Sequence, residues 1–172
     1  MIVKTVGLVG RLYLMKILSF DVSSKSTGWS LLDHNENLIL FDVIQPPKLE
    51  LQFKLYWFYI HANGLFSILK PDVVIIEETY LKNVKTLKVL SQFIGIVNLL
   101  CAVYNTAVVF VSPNTVRSAF KIKTKEDVFN FVRNKYKVKL RSLSFDSGND
   151  ITDSIILALY YISIVNGDDK NE

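Results

Sequence analysis

Four acidic residues in this chain have types and settings suited to catalysis. Asp21 follows the apolar run "KILSF", and Glu77 follows "VVII". Asp150 and Asp153 are three apart in "NDITDSIILAL", a spacing that puts both side chains on one helix face, one turn apart. At the start of that helix their charge would also face free backbone N–H groups. Hard divalent cations prefer oxygen ligands, so four carboxylates drawn from distant parts of the sequence suit a Mg²⁺ or Mn²⁺ site with two ions. Taken singly each acid has a plainer role, Asp150 as a helix cap and Asp21 as a turn residue. They converge only if Asp21 and Glu77 end neighbouring central strands and the last helix lies across them.

Other chemistries fit poorly. The two histidines, His34 and His61, have no partner at zinc-ligand spacing. The single cysteine, Cys101, lies in the apolar run "VNLLCAV" and reads as a buried, inert thiol. No nucleophile-elbow, phosphate-loop or dinucleotide motif occurs. "SSKSTG" is small and polar but lacks a phosphate-binding glycine pattern, so it reads as a hairpin connection.

The chain has 172 residues, 50% of them hydrophobic and 21% charged, which suits one folded domain. Its net charge of +4 is unevenly placed: Arg117 to Arg141 holds nine Lys or Arg against Glu126 and Asp127. Such a segment suggests a polyanion partner. Lys82, Lys85, Arg117, Lys121 and Lys123 read as phosphate contacts, which give affinity and salt dependence rather than sequence preference. Residues 1–14 are apolar but interrupted by Lys4 and Arg11, too short to span a bilayer and without a signal-peptide pattern. They read as an extension, 15–167 as the domain and 168–172 as an acidic tail. The expectation is an intracellular protein, cytoplasmic or within a host cell, neither secreted nor membrane-bound.

The elements that must position these residues can be read from periodicity. Lys16–Val22, Gly28–Asp33 and Asn37–Val43 read as three antiparallel strands, and Val73–Ile76 as a central strand covered on both faces. Alternation points Glu78 away from Glu77. Ala107–Pro113 reads as a fifth strand. Leu51–Leu69, with six aromatic residues, reads as a largely buried helix, and Lys85–Tyr104 as a second. A short helical piece follows at "NTVRSAF". Thr124 caps a helix through Asp127, and the last helix starts at "NDITD". The result is an α/β fold with a five-stranded mixed sheet and helices on both faces.

The pattern "FDVSSKSTGWS…VVIIEETYLKN…FVSPNTVRSAF…TKEDV…NDITDSIILAL" resembles the RuvC-type Holliday junction resolvases, whose compact members occur in phages and poxviruses. The likeness runs from Lys16 to about Ile164. It implies an RNase H-like (retroviral integrase-like) fold, a homodimer, and Mg²⁺- or Mn²⁺-dependent cutting of branched DNA, chiefly four-way junctions. Asp21, Glu77, Asp150 and Asp153 match the family's catalytic acids. Tyr80 falls where bacterial members place an aromatic residue against bases near the junction centre. Arg117 and Lys125 fall near two basic residues important for activity, the first being Arg rather than Lys here.

The chemistry is coherent without the family. Phosphodiester hydrolysis needs an activated water, charge neutralisation and help for the departing 3′ oxygen, all of which two ions can supply. Lys125 is placed to orient the water or neutralise the phosphate. Two other readings share these features: a broader branched-DNA, flap or RNA–DNA hybrid nuclease, and a non-catalytic DNA-binding module. The second gains nothing from acids clustered against phosphate.

Overall fold

The computed structural model describes residues 14–78 and 84–168. Residues 1–13, the stretch holding Tyr80 and Lys82, and the end of the acidic tail lie outside the described residues. Five strands form one sheet: β1 (Lys16–Asp21), β2 (Thr27–Asp33), β3 (Leu38–Ile44), β4 (Val73–Glu77) and β5 (Ala107–Val111), in the order β3-β2-β1-β4-β5. Short connections force the first three to run antiparallel. Between β1 and β2, Thr27 closes the turn by accepting from Ser23 N–H and donating to Ser23 C=O. Helix α1 (Leu51–Leu69) returns the chain to lay β4 parallel beside β1. Helix α2 (Val84–Val103) does the same for β5.

Strand alternation divides the core in two. Ile17, Val73 and Ile75 face α3 (Pro113–Ala119), α4 (Lys125–Lys135) and α5 (Phe145–Asp168). Leu18, Phe20, Val74 and Ile76 face α1 and α2, where Phe58 meets Phe93 edge-on at 5.2 Å. The "VVII" run is therefore buried on both sides of the sheet. Each such side chain contributes about 2 kcal/mol through burial.

Two expectations need correction. Helix α1 is not largely buried: Phe58, Ala62, Phe66 and Leu69 form its one buried stripe, while Phe53, Tyr56, Trp57 and Ile60 are exposed. A helix lying on a sheet presents one stripe to it, whatever the composition of the rest. Helix α5 begins at Phe145, so Asp150 and Asp153 lie beyond its first turn and gain little from the helix N-terminus. The sequence pattern starts this helix only at "NDITD", four residues later. In the fold Gly148 lies within the helix, where a Cβ would stand a tight 3.1 Å from Leu143 and 3.2 Å from Phe129. Helix α2 is long and apolar enough to cross a membrane, the one such helix among the described residues, but it packs Phe93, Val97 and Leu100 onto the sheet.

One close approach sets the rest. Gly28, opposite Asp21 in the β1–β2 pair, lies under the backbone of α5, and a Cβ on it would fall 2.0 Å from the Asp150 carbonyl oxygen. Beside it Ser19 and Ser30 are fully buried and hydrogen-bonded to each other at 2.7 Å, a small, satisfied floor that admits the helix. The substitution G28A should therefore lift α5 and cost about 1–3 kcal/mol. It should be read as a lower urea midpoint with an unchanged slope; an unchanged midpoint would show that the contact is slack.

Candidate active site

Asp21 and Glu77 continue the rows Ile17, Ser19 and Val73, Ile75, which point at α5. The parallel register pairs Phe20 with Ile76, so the two acids leave the sheet side by side at the carboxyl ends of adjacent strands. That edge, where strand ends meet covering helices, is where open α/β sheets bind ligands. Glu77 is also held in register with Val111 of β5, and the Glu78 N–H donates to the Val111 carbonyl at 2.8 Å. Glu78 makes no ion pair among the described residues, leaving one acid of the doublet in the cluster.

Helix α5 supplies the opposite wall. Asp153 is buried, while Asp150 is half-buried with its N–H accepted by the Asn149 side chain at 2.7 Å. Across the gap Lys125, at the first turn of α4, holds Asp153 with Nζ to Oδ2 at 2.8 Å. Its position follows from the capping box: Thr124 Oγ1 accepts from Asp127 N–H, and Asp127 accepts from Thr124 N–H. Glu77, Arg117, Lys125 and Asp153 line a small cleft of about 30 Å³, together with Val116, Val128 and Ile156.

The electrostatics identify these groups as one cluster. Burial, followed by the charges of Asp153 and Glu77, holds the Asp21 carboxyl well above its ordinary range, with Asp150 adding in the same sense. Burial and Asp153 likewise raise Glu77, against opposing pulls from Lys125 and Arg117. Asp153 is raised by burial despite its bond to Lys125. Burial pulls the Lys125 ammonium down, but its bond to Asp153 and the charges of Asp153, Asp21 and Glu77 outweigh that and raise it. Desolvated carboxylates crowded beyond what Lys125 and Arg117 can neutralise favour binding another cation.

The donor set fits a hard divalent ion: oxygen only, from Asp21, Glu77, Asp150 and Asp153. Among the described residues, no three such groups already stand at ligand spacing. In this arrangement Lys125 takes up one Asp153 oxygen. His61 stacks on Trp57 at 4.5 Å on the outer side of α1, away from the cluster. Cys101 is buried, and burial pushes its thiol up to about 11.

The structure thus brings together Asp21, Glu77, Asp150, Asp153, Lys125 and Arg117. Lys121 and Lys123 are exposed on the α3–α4 connection near the cleft, and Lys85 is exposed at the start of α2. Gly28 is the positioning residue that acid-by-acid reading passes over, although glycine inside a strand is itself a signal of close backbone approach.

The family model for the crossover junction endodeoxyribonuclease RuvC matches residues 17–161, a span that includes every one of these groups. The chain belongs to the RuvC family. Among curated RuvC proteins, that of Dictyoglomus thermophilum is 23% identical over 86% of this chain and 96% of its own length. The RuvC of Syntrophomonas wolfei is 28% identical over 61% of this chain and 64% of its own length. Thermus thermophilus RuvC in complex with a Holliday junction substrate superposes with a TM-score of 0.75 at 16% identity, over 89% of this chain and 96% of that one. Fowlpox virus resolvase, solved with Holliday junction DNA, gives 0.54 at 20% identity, over 86% and 98%. At these identities the structural likenesses establish the RuvC fold, and the family match establishes membership.

The raised carboxyls have a cost with a definite sign. Because Asp21 binds its proton more tightly folded than unfolded, its contribution to stability is greatest below the ordinary carboxyl range and is lost as pH rises toward the raised value. D21N should therefore be more stable than wild type at neutral pH, and equal to it near pH 3, while losing activity. Thermal melts across pH check this; a variant less stable at neutral pH would contradict the crowding.

Proposed function

We propose that this RuvC-family protein is a Mg²⁺- or Mn²⁺-dependent endonuclease that resolves four-way DNA junctions by paired, symmetrical cuts made by a homodimer. The observation that carries the reading is the convergence of Asp21, Glu77, Asp150 and Asp153 with Lys125 at one edge of the sheet. A divalent cation held by those four acids would polarise the scissile phosphate and lower the pKa of the attacking water.

The chain's own residues do the positioning. Asp21 and Glu77 project from strand ends buried in the core, so their carboxylates are held with little freedom. Lys125 is charged and tethered to Asp153, ready to meet a phosphate oxygen that competes for it. Arg117 lines the same cleft and offers a bidentate fork to a second oxygen. Lys121, Lys123 and Lys85, with Lys82, would hold the strands that lead to the cut, and Tyr80 would stack on a base at the junction centre. Replacing Lys125 by Met should lower single-turnover cleavage by about 10²-fold, in keeping with loss of one preorganised charge at a transition state. Junction affinity should change far less. An unchanged rate with unchanged metal dependence removes Lys125 from the reacting centre.

A four-way junction is close to two-fold symmetric and needs two cuts, which a C₂ dimer supplies. The apolar stripe Phe53, Tyr56, Trp57 and Ile60 supports α1 as the interface, since a large exposed apolar face marks a contact surface. W57E should yield a monomer by sedimentation, whose junction products are single unpaired nicks. A dimer that persists would place the interface elsewhere.

The activity itself is tested by incubating wild type and E77Q with a synthetic four-way junction, a Y-fork and an RNA–DNA hybrid, each with and without Mg²⁺. Metal-dependent paired nicks in the junction, lost in E77Q, are expected. Cleavage confined to the hybrid would overturn the resolvase reading, and activity surviving in E77Q would overturn the assignment of the site.

A further inference from the structure

The basic segment extends well past the catalytic cleft, and its far half is not accounted for by the reacting centre. On α4, Val128, Phe129 and Val132 face inward. Asn130, Arg133 and Asn134 lie on the opposite side, and the turns that follow add Lys137 and Arg141 to the same row. These five residues line a shallow surface cleft of about 250 Å³ with no acidic side chain in its wall. All five are exposed.

Neighbouring cations have other employment, which isolates these three. Lys135 pairs with Glu36 at 2.6 Å, the Tyr136 hydroxyl donates to the Glu36 carbonyl at 2.7 Å, and Lys139 donates to the Leu38 carbonyl. Those bonds fasten the β2–β3 hairpin to the end of α4. Arg133, Lys137 and Arg141 form no ion pair among the described residues. Arg133 is nonetheless held in place, stacked 5.8 Å from the Phe129 ring centre and donating to the Arg141 carbonyl at 3.4 Å. Three uncompensated cations with two amides between them make a surface for phosphodiester oxygens: charge gives attraction, and the amides can bond sugar or phosphate without reading a base.

Position suggests which phosphates. Arg133 is eight residues along α4 from Lys125, hence about 12 Å down the helix axis. A duplex strand advances about 3.4 Å per nucleotide, so the cations of the row begin about four nucleotides from the phosphate that Lys125 would meet. We infer that Asn130, Arg133, Asn134, Lys137 and Arg141 form a second DNA-backbone site that grips the duplex arm leading away from the junction, separate from the cleft that cuts it. The inference rests on the nuclease reading for the identity of the DNA but not for the existence of the surface.

The test is the triple variant R133Q/K137Q/R141Q, with K137Q alone as a milder change. Binding to a four-way junction with arms of about 20 base pairs is followed by fluorescence anisotropy over a salt series without divalent metal. For the triple variant, affinity should fall roughly tenfold at moderate salt and the slope of log K on log salt should shrink by about 2–3; for K137Q it should shrink by about 1. Ethylation of arm phosphates several nucleotides from the cut should weaken wild-type binding and have no further effect on the triple variant. The cleavage rate at saturating enzyme should stay at the wild-type value, and the thermal midpoint should be unchanged. Wild-type affinity and slope in both variants overturns the inference. So does a saturating rate that falls in step with affinity, which would place these residues in the cutting centre. If wild type binds junctions in this way but never cuts them, the nuclease reading fails while the surface stands.

Discussion

The contact of the α5 backbone with β2 at Gly28 is the constraint on which the site depends. Helices normally stand off a sheet by the thickness of their side chains; here glycine, together with the buried Ser19–Ser30 pair, removes that spacer. Asp21 is the direct cross-strand partner of Gly28, and the helix carbonyl above Gly28 belongs to Asp150. One close approach therefore brings the acid of the first strand and the acids of the last helix into the same small volume, though they stand about 130 residues apart in sequence. Glu77 joins them because the parallel β1–β4 register ends both strands at one level.

That closeness works against stability, and the rest of the local structure limits the cost. Burial raises the proton affinity of Asp21, Glu77 and Asp153, neighbouring acids add to it, and Lys125, with 52% of its side chain exposed, and Arg117 can offset only part of the imbalance. A structural ion-pair network would be balanced; this one carries excess negative charge in a cleft already walled by apolar side chains. Under the proposed function, such an arrangement would serve when a cation and a phosphate arrive. The large two-sided core under "VVII" supplies stability that the sheet edge does not.

Much of this was legible in the sequence, for identifiable reasons. Apolar runs ending in acid marked β1 and β4, and Asp-x-x-Asp with the apolar spacing behind it marked the inward face of α5. The Thr124–Asp127 capping box announced the start of α4 and with it the place of Lys125. What resisted reading was tertiary. Aromatic density in α1 suggests burial, but a helix on a sheet can bury only one stripe, so Trp57 and Tyr56 stay outside. The early start of α5 was hidden by "DSGN", whose glycine lies close against Leu143 and Phe129. The role of Gly28 depends on which helix crosses which strand, information that no local pattern holds.

The same division separates two uses of positive charge. Lys125 and Arg117 face the acids, where they can neutralise a reacting phosphate, whereas Arg133, Lys137 and Arg141 face solvent with no acid to meet. The central claim is that helix–sheet contact crowds four carboxylates into one electrostatic unit. It is tested most directly by following the Asp21 side-chain carboxyl by carbon-13 NMR across pH, in wild type and in D153N, without divalent metal. A midpoint well above the ordinary carboxylate range in wild type, falling in D153N, is the predicted result; an ordinary midpoint in wild type, or one that ignores the loss of Asp153, would contradict it.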